Sequence, residues 1–159
     1  PAVQTYVIAG MVVCSGAFLV YLYLRGDTGA TAEDTANYVN AVENGLLVSI
    51  HQNYFEQTKY CGAQVFFAKT DGSKALAERI QQSLRENVDA ANHRQCKPSQ
   101  SVYLMEHIEC TGVLIECGFL SNYEEAKRLQ TDAYQKKLSA AICGAITEYL
   151  SEREERHEI

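Results

Sequence analysis

Short apolar runs alternate with amphipathic helical patterns along most of this chain, and that alternation limits the fold more than any other feature. Strands that alternate with helices typically form an α/β domain around a largely parallel sheet. We therefore expect an α/β, three-layer domain with a mainly parallel central sheet flanked by helices. Four apolar runs have the length of strands: residues 46–50, 62–69, 101–105 and 112–119.

Helical spacing appears in three segments. Apolar residues recur every three or four positions over residues 31–45, where Gly45 suits a C-terminal cap. Ser73 suits the N-cap of a second helix with Leu76, Ile80 and Leu84 on one face. A third pattern covers residues 123–153, with a break expected near residues 131–132. Residues 87–100 are polar and predict a loop.

Residues 5–24 contain no charge, and this segment allows two interpretations. Twenty uncharged residues match the length of a membrane-spanning helix. The same segment also fits two buried strands, because "TYVIAG" and "AFLVYLYLR" are rich in β-branched and aromatic residues. We expect residues 1–25 to form an apolar N-terminal segment, either a membrane anchor or the first strands, and residues 26–159 to form one domain.

Charge and cysteine content exclude some classes of function. The formal net charge is −6 and no basic patch stands out, so we do not expect a nucleic-acid partner. The six cysteines form no C-x-x-C pair, which argues against a zinc ribbon or a thioredoxin-type centre. They are typical of scattered buried thiols, or of a disulfide if the protein is exported.

Two predicted strands carry an ionisable residue where an apolar one would pack better. The first ends on His51, and the second, "VLIECGFL", is interrupted by Glu116. Reactive groups in α/β sheets tend to collect at the carboxyl ends of strands, and a buried lone carboxylate is costly without a compensating partner. A neutral imidazole is a good zinc ligand, and a nearby glutamate can accept a proton from zinc-bound water.

The segments "LLVSIHQN", "GAQVFF", "SKALAERIQQSL", "VYLMEH" and "GVLIECGFLSNYEEAKRL" follow one another within residues 45–150. Their order resembles the zinc-dependent N-acetylmuramoyl-L-alanine amidases, with the closest likeness to the spore-cortex type. The specific pieces are "SIHQN" and "IECGFLSN". The resemblance implies that His51 is a zinc ligand and that Glu116 is the catalytic acid/base.

The resemblance also implies an activity and a place in the cell. The expected reaction is hydrolysis of the amide between N-acetylmuramic acid and L-alanine in peptidoglycan, with zinc as cofactor. The expected location is the cell envelope after export, with membrane anchoring if residues 5–24 form an anchor. Asn53 and Arg94 are the predicted substrate-binding residues, and Arg94 would meet carboxylates of the peptide stem.

The chain departs from the family pattern before residue 51. The family's first zinc ligand, a histidine in a "GHGG"-type turn, has no counterpart, because no histidine precedes His51. Its second ligand, a glutamate in the following helix, has no matching motif either. The alternative function is therefore a non-catalytic amidase-fold domain, with an incomplete zinc site, that binds the cell wall or regulates another protein.

Overall fold

The computed structural model describes residues 31–157, and in this range helices and strands are interspersed along the chain. The strands are β1 (Leu46–Asn53), β2 (Gln64–Phe67), β3 (Lys97–Pro98) and β4 (Thr111–Phe119). The helices are α1 (Ala32–Asn40), α2 (Ser73–Asn87), α3 (Tyr103–His107), α4 (Tyr123–Leu129) and α5 (Asp132–His157). The predicted break in the last helical segment is confirmed by the interval between α4 and α5.

The four strands form a mixed sheet in the order β1-β4-β2-β3. β1 pairs with β4 in parallel and β2 pairs with β3 in parallel, but β2 runs antiparallel to β4. The expectation of a mainly parallel sheet is therefore confirmed in part: two of the three strand pairings are parallel, and the sheet as a whole is mixed. A strand parallel to β1 would need a long crossover connection, usually a helix, to bring the chain back to the end of the sheet where β1 begins. Residues 54–63 contain no helix. β2 therefore starts at the end of the sheet where β1 finishes and runs in the opposite direction.

Helices cover both faces of the sheet, which confirms the layered α/β arrangement. On one face, α2 and α5 pack against alternate residues of β4, including Val113, Ile115 and Cys117. On the other face, Leu114 packs with α1 and α3 through Val39 and Met105. Because successive strand residues point to opposite faces, Glu116 shares the α1/α3 face with Leu114.

The segment predicted as a strand over residues 101–105 forms no strand, and Tyr103–His107 form the helix α3 instead. Met105 and Ile108 are three residues apart, and both are buried in the cluster that contains Leu114. Residues three apart point to the same side in a helix but to opposite sides in a strand. Asn40 fixes the end of this helix, since its amide donates to the His107 carbonyl at 3.0 Å and its carbonyl oxygen accepts from Glu109 N–H at 2.9 Å.

Smaller boundary differences have local causes. The first helix ends at Asn40 rather than near Gly45, and the chain then turns into β1 through Asn44, which adopts a left-handed conformation (φ 56°). Gly72 (φ 78°), not Ser73, is the N-cap of α2. Ser73 is buried and its hydroxyl accepts from Gly112 N–H at 2.8 Å. The polar segment 87–100 contains the two-residue strand β3.

The two interpretations of the N-terminal segment, residues 1–25, fall outside the described residues, and so does residue 26, where the predicted domain begins. Within residues 31–157, no helix has the length and apolar character required to cross a membrane. Both interpretations of residues 5–24 therefore remain predictions.

β3 is two residues long and pairs with β2 at Phe66 and Phe67. Gln81 of α2 bonds to the backbone just before these residues. Its Oε1 accepts from Val65 N–H at 2.9 Å, and its Nε2 donates to the Ala63 carbonyl at 3.1 Å. The Ala63 carbonyl also accepts from the Asn92 amide at 2.8 Å. Removing Gln81 therefore leaves one buried group, Val65 N–H, without this acceptor.

We expect Gln81→Leu to lower the free energy of unfolding by about 1–3 kcal/mol, the cost of a buried unsatisfied donor. Urea denaturation of the purified variant measures this change. The matched control is Gln82→Leu on the same helix, where the side chain is exposed and bonds to Glu86. We expect the control to change stability by less than about 0.5 kcal/mol. Equal effects of the two substitutions would contradict the prediction.

Candidate active site

His51 and Glu116 lie directly opposite each other on the adjacent parallel strands β1 and β4. Neighbouring strands are about 4.8 Å apart, and paired residues point to the same face of the sheet. The structure thus places the two ionisable residues that interrupt the apolar runs side by side, at the carboxyl ends of their strands. This is the edge at which α/β sheets commonly bind ligands.

A third polar residue extends this pair across the sheet. Gln64 at the start of β2 pairs with Glu116 from the other side, so His51, Glu116 and Gln64 form one row on one face. Gln64 is buried and its amide donates to the Gln95 carbonyl at 2.8 Å. Gln64 was not predicted from the sequence, because a glutamine at the start of an apolar run gives no signal of its strand partner.

The Glu116 carboxylate is poorly compensated. Its Oε2 is buried and has no hydrogen-bond partner among residues 31–157. Burial raises the pKa of Glu116 to about 7, because desolvation penalises the charged form. A carboxyl group with a pKa near neutrality can both accept and return a proton, which is the requirement for general acid/base chemistry.

His51 is held within its own strand. Its Nε2 lies 2.5 Å from Ser49 Oγ, a residue on the same face two positions earlier. Burial lowers the pKa of His51, so the neutral imidazole is favoured. A neutral imidazole is the form that binds a metal ion. The contact with Ser49 also shows that one ring nitrogen is engaged in a hydrogen bond in this state.

Glu125 holds the backbone beside the pair, although it is fully buried and was not predicted as a site residue from the sequence. Its Oε1 accepts from Gly62 N–H at 2.8 Å and its Oε2 accepts from Phe119 N–H at 2.7 Å. It thereby joins the loop before β2 to the end of β4. Gly118 permits this approach, because a Cβ there would lie 2.8 Å from Glu125 Cδ.

A sequence signal for Glu125 did exist. Asn122 caps α4 and accepts from Glu125 N–H at 3.1 Å, which puts a glutamate at the third helical position as in a capping box. That pattern predicts a bond from the glutamate side chain back to the cap. The carboxylate instead turns inward, and only the tertiary structure shows its two partners.

The two predicted substrate-binding residues lie near this edge. Arg94 is anchored: its Nε donates to the Cys61 carbonyl at 2.6 Å and its Nη1 donates to Gln64 Oε1 at 2.9 Å. Its guanidinium also lies 4.6 Å from the centroid of the Phe119 ring. Asn53 pairs with Phe119 after an irregularity in the β1–β4 register, and its carbonyl accepts from Leu120 N–H at 2.8 Å.

The described residues do not fit a complete zinc site. Within residues 31–157, no group of three or more His, Cys, Asp or Glu side chains lies close enough to hold a metal ion. His51 is one donor, whereas catalytic zinc sites use three protein ligands. The carboxylate neighbour of His51, Glu116, is the residue that the family resemblance assigns to proton transfer rather than to the metal.

A cavity of about 530 Å³ lies at the other end of the strands, beside the first residues of β1 and β4. It contains charged side chains of both signs but no histidine. The His51–Glu116 pair remains the better candidate site, because it combines an uncompensated carboxylate with an imidazole. Residues lining the cavity include Asn40, Gly45, Lys69, Asp71, Glu109, Thr111 and Arg153.

Comparisons with known proteins show the family to which this chain is similar. Residues 8–148 match the family model described as N-acetylmuramoyl-L-alanine amidase. The chain is 33% identical over 150 residues to the germination-specific N-acetylmuramoyl-L-alanine amidase of Bacillus subtilis (strain 168), covering 85% of this chain and 63% of that protein. It therefore spans less than two thirds of that relative's length.

Solved structures are similar as well. The CwlD amidase from Clostridioides difficile, in complex with the GerS lipoprotein, shares 40% identity with a TM-score of 0.69, over 82% of this chain and 70% of that one. The N-acetylmuramoyl-L-alanine amidase from Clostridium difficile 630 shares 28% identity with a TM-score of 0.71, over 79% of this chain and 68% of that one.

We expect Glu125→Ala to lower the free energy of unfolding by at least about 2 kcal/mol, because two buried N–H groups lose their acceptor. Glu125→Gln retains one acceptor oxygen and should give a smaller loss. Denaturant unfolding measures both variants. The exposed neighbour provides the control, since Glu124→Ala should cost less than about 1 kcal/mol. A Glu125→Ala variant as stable as the Glu124→Ala variant would refute this role.

We expect residues 31–157 to hold zinc weakly, because the ligand predicted among them is His51 and a single histidine does not bind zinc tightly. After dialysis against a weak chelator, the purified protein should retain less than one zinc per chain by atomic emission. His51→Ala should lower that amount further, and His107→Ala, an exposed histidine on α3, should not. Retention of one full equivalent by the parent chain would contradict the expectation and would point to donors outside residues 31–157.

Proposed function

Because the chain belongs to the N-acetylmuramoyl-L-alanine amidase family, we propose that it hydrolyses the amide bond between N-acetylmuramic acid and L-alanine in peptidoglycan. The observation that carries this proposal is the register of β1 and β4, which sets His51 opposite Glu116. The germination-specific relative suggests the spore cortex as the wall layer on which the enzyme acts.

Glu116 is the proposed catalytic acid/base. In its carboxylate form it accepts a proton from the water that attacks the amide carbonyl carbon. The resulting carboxylic acid of Glu116 then gives that proton to the nitrogen of L-alanine, and the carbon–nitrogen bond breaks to leave the free amine of L-alanine and the carboxylic acid of the muramic acid. The pKa of Glu116, raised by burial to about 7, suits a group that must perform both transfers.

His51 is the proposed zinc ligand, as the resemblance implies. Its lowered pKa and its place beside Glu116 support that role. Residues 31–157 supply this one donor and not a full ligand set. The site chemistry that rests on this chain's own atoms is therefore the proton transfer at Glu116.

Arg94 and Asn53 are the proposed substrate-binding residues. Arg94 bonds to Gln64, which pairs with Glu116 across the sheet. This bond holds the Arg94 guanidinium near the site. A guanidinium in that position suits a carboxylate of the peptide stem. Asn53 ends β1 two residues after His51, where its amide would meet the polar groups of the substrate backbone.

The substrate sets the proposed location. Peptidoglycan lies outside the cytoplasmic membrane, so we propose that the protein is exported and acts in the cell envelope. Membrane anchoring through residues 5–24 is part of the same proposal, and it rests on the uncharged length of that segment.

Release of stem peptides from purified cell walls tests the function. We expect Glu116→Gln to lower the rate by about 10²–10⁴-fold, the usual contribution of a positioned acid/base, with the fold retained by circular dichroism. The control Glu124→Gln removes an exposed carboxylate nearby and should keep the parent rate. Unchanged release by Glu116→Gln would exclude the proposed role, and wall binding without any release by the parent chain would favour the non-catalytic alternative.

A further inference from the structure

Exposed aromatic rings are concentrated at the site edge of the molecule. Six large hydrophobic side chains are exposed in residues 31–157, and four of them lie on the two segments that follow β1 and β4. The remaining two, Tyr38 and Tyr103, belong to α1 and α3. We call the four rings the aromatic rim: Tyr54, Phe55, Tyr60 and Tyr123.

Hydrogen bonds join the two segments that carry the rim. Phe55 N–H donates to Ser121 Oγ at 3.2 Å, and the Asn122 amide donates to the Thr58 carbonyl at 2.9 Å. These bonds hold the two segments of the rim against each other. One segment is the loop after β1, and the other is the turn that leads into Tyr123 at the start of α4.

The rim is continuous with the candidate active site. The Phe55 and Tyr60 rings meet edge to face with centroids 5.0 Å apart, and Tyr60 lies 6.2 Å from the Phe119 ring. Phe119 in turn contacts the Arg94 guanidinium and pairs with Asn53. A ligand bound at the His51–Glu116 pair would meet the rim as it leaves the site.

The rim combines apolar ring faces with polar groups. Three of its four members are tyrosines, which offer a flat face together with a hydroxyl. Cations lie over two of the rings, with Lys59 Nζ 5.5 Å from the Tyr60 centroid and Lys127 Nζ 4.7 Å from the Tyr123 centroid. Exposed apolar surface beside a site commonly marks a place where ligand binds.

We propose that the aromatic rim binds the glycan strand of peptidoglycan and positions it so that a muramic acid reaches the His51–Glu116 pair. The proposal rests on the proposed amidase function, because the bond to be cut is attached to that sugar. Pyranose rings have faces of C–H groups that pack on aromatic rings, and their hydroxyls bond to tyrosine. Lys59 and Lys127 would attract carboxylates carried along the strand.

A protein partner is the other occupant that such a surface fits. The glycan is favoured because the rim is joined to the site through Phe119, which gives a strand whose muramic acid occupies the site a continuous surface along these rings. The rings with the greatest exposure, Tyr54 (58%) and Tyr123 (69%), are also free to be replaced without opening a core.

Binding of peptide-free glycan strands to the whole 159-residue chain, measured by calorimetry, tests the proposal. The strands carry no amide bond to L-alanine, so the result does not depend on catalysis. We expect the double variant Tyr54→Ala/Tyr123→Ala to bind at least about tenfold more weakly, since two ring contacts are lost. Tyr54→Phe/Tyr123→Phe keeps both rings and should retain most of the affinity. Tyr38→Ala, an exposed tyrosine on α1, should bind like the parent chain.

Two results would overturn the proposal. One is a parent chain that does not bind the strands; the other is a double alanine variant with unchanged affinity, as a rim reserved for a protein partner predicts. Loss of stem-peptide release in Glu116→Gln with intact glycan binding would support both the proposed function and the rim. Glycan binding that depends on the rim, in a chain that releases no peptide, would support the rim while removing the hydrolase activity.

Discussion

Strands β1 and β4 pair in parallel from Leu46 opposite Thr111 to His51 opposite Glu116, and the rest of the structure is built on that ladder. The register decides which side chains meet, because a slip of one residue would move every side chain of one strand to the other face. Apolar residues of β4 on both faces hold this register, since both faces are packed against helices. The site pair is thus positioned by packing that lies several residues away.

Buried polar side chains then join the parts that strand pairing does not reach. Gln81 bonds to the backbone of Ala63 and Val65 ahead of the short β3, and Glu125 bonds to the backbone of Gly62 and Phe119 at the site edge. Each satisfies backbone groups that would otherwise be buried without a partner. The region around the site is therefore held together by these hydrogen bonds as well as by the hydrophobic core.

The pair itself is a compromise between stability and chemistry. Glu116 sits in a row where an apolar residue would pack without cost, and its buried Oε2 finds no hydrogen-bond partner among the described residues. Such an uncompensated group is typical of a site that binds a cation or moves a proton. The aromatic rim beside the pair shows the same preference for function over packing. Its rings are exposed to solvent, whereas aromatic rings with a purely structural role are buried.

The apolar periodicity of the sequence predicted most elements, because strand and helix spacing are local properties. It located β1, β4, α2 and the division between α4 and α5. It failed at α3, where five residues carry too short a pattern to separate a strand from a helix turn, and where burial of Met105 and Ile108 against Leu114 decides the conformation. It also could not give the direction of β2, which depends on a connection without a helix.

The sequence by itself determined the two residues of the pair and their family resemblance, because each is a polar exception within an apolar run and each lies in a specific motif. Only the tertiary structure decided that they are neighbours, that Gln64 completes their row and that Glu125 is buried beside them. These facts depend on contacts between segments that are distant along the chain, such as Gly62 with Glu125, which are 63 residues apart. No local pattern contains them, since spacing along the chain reports one element at a time.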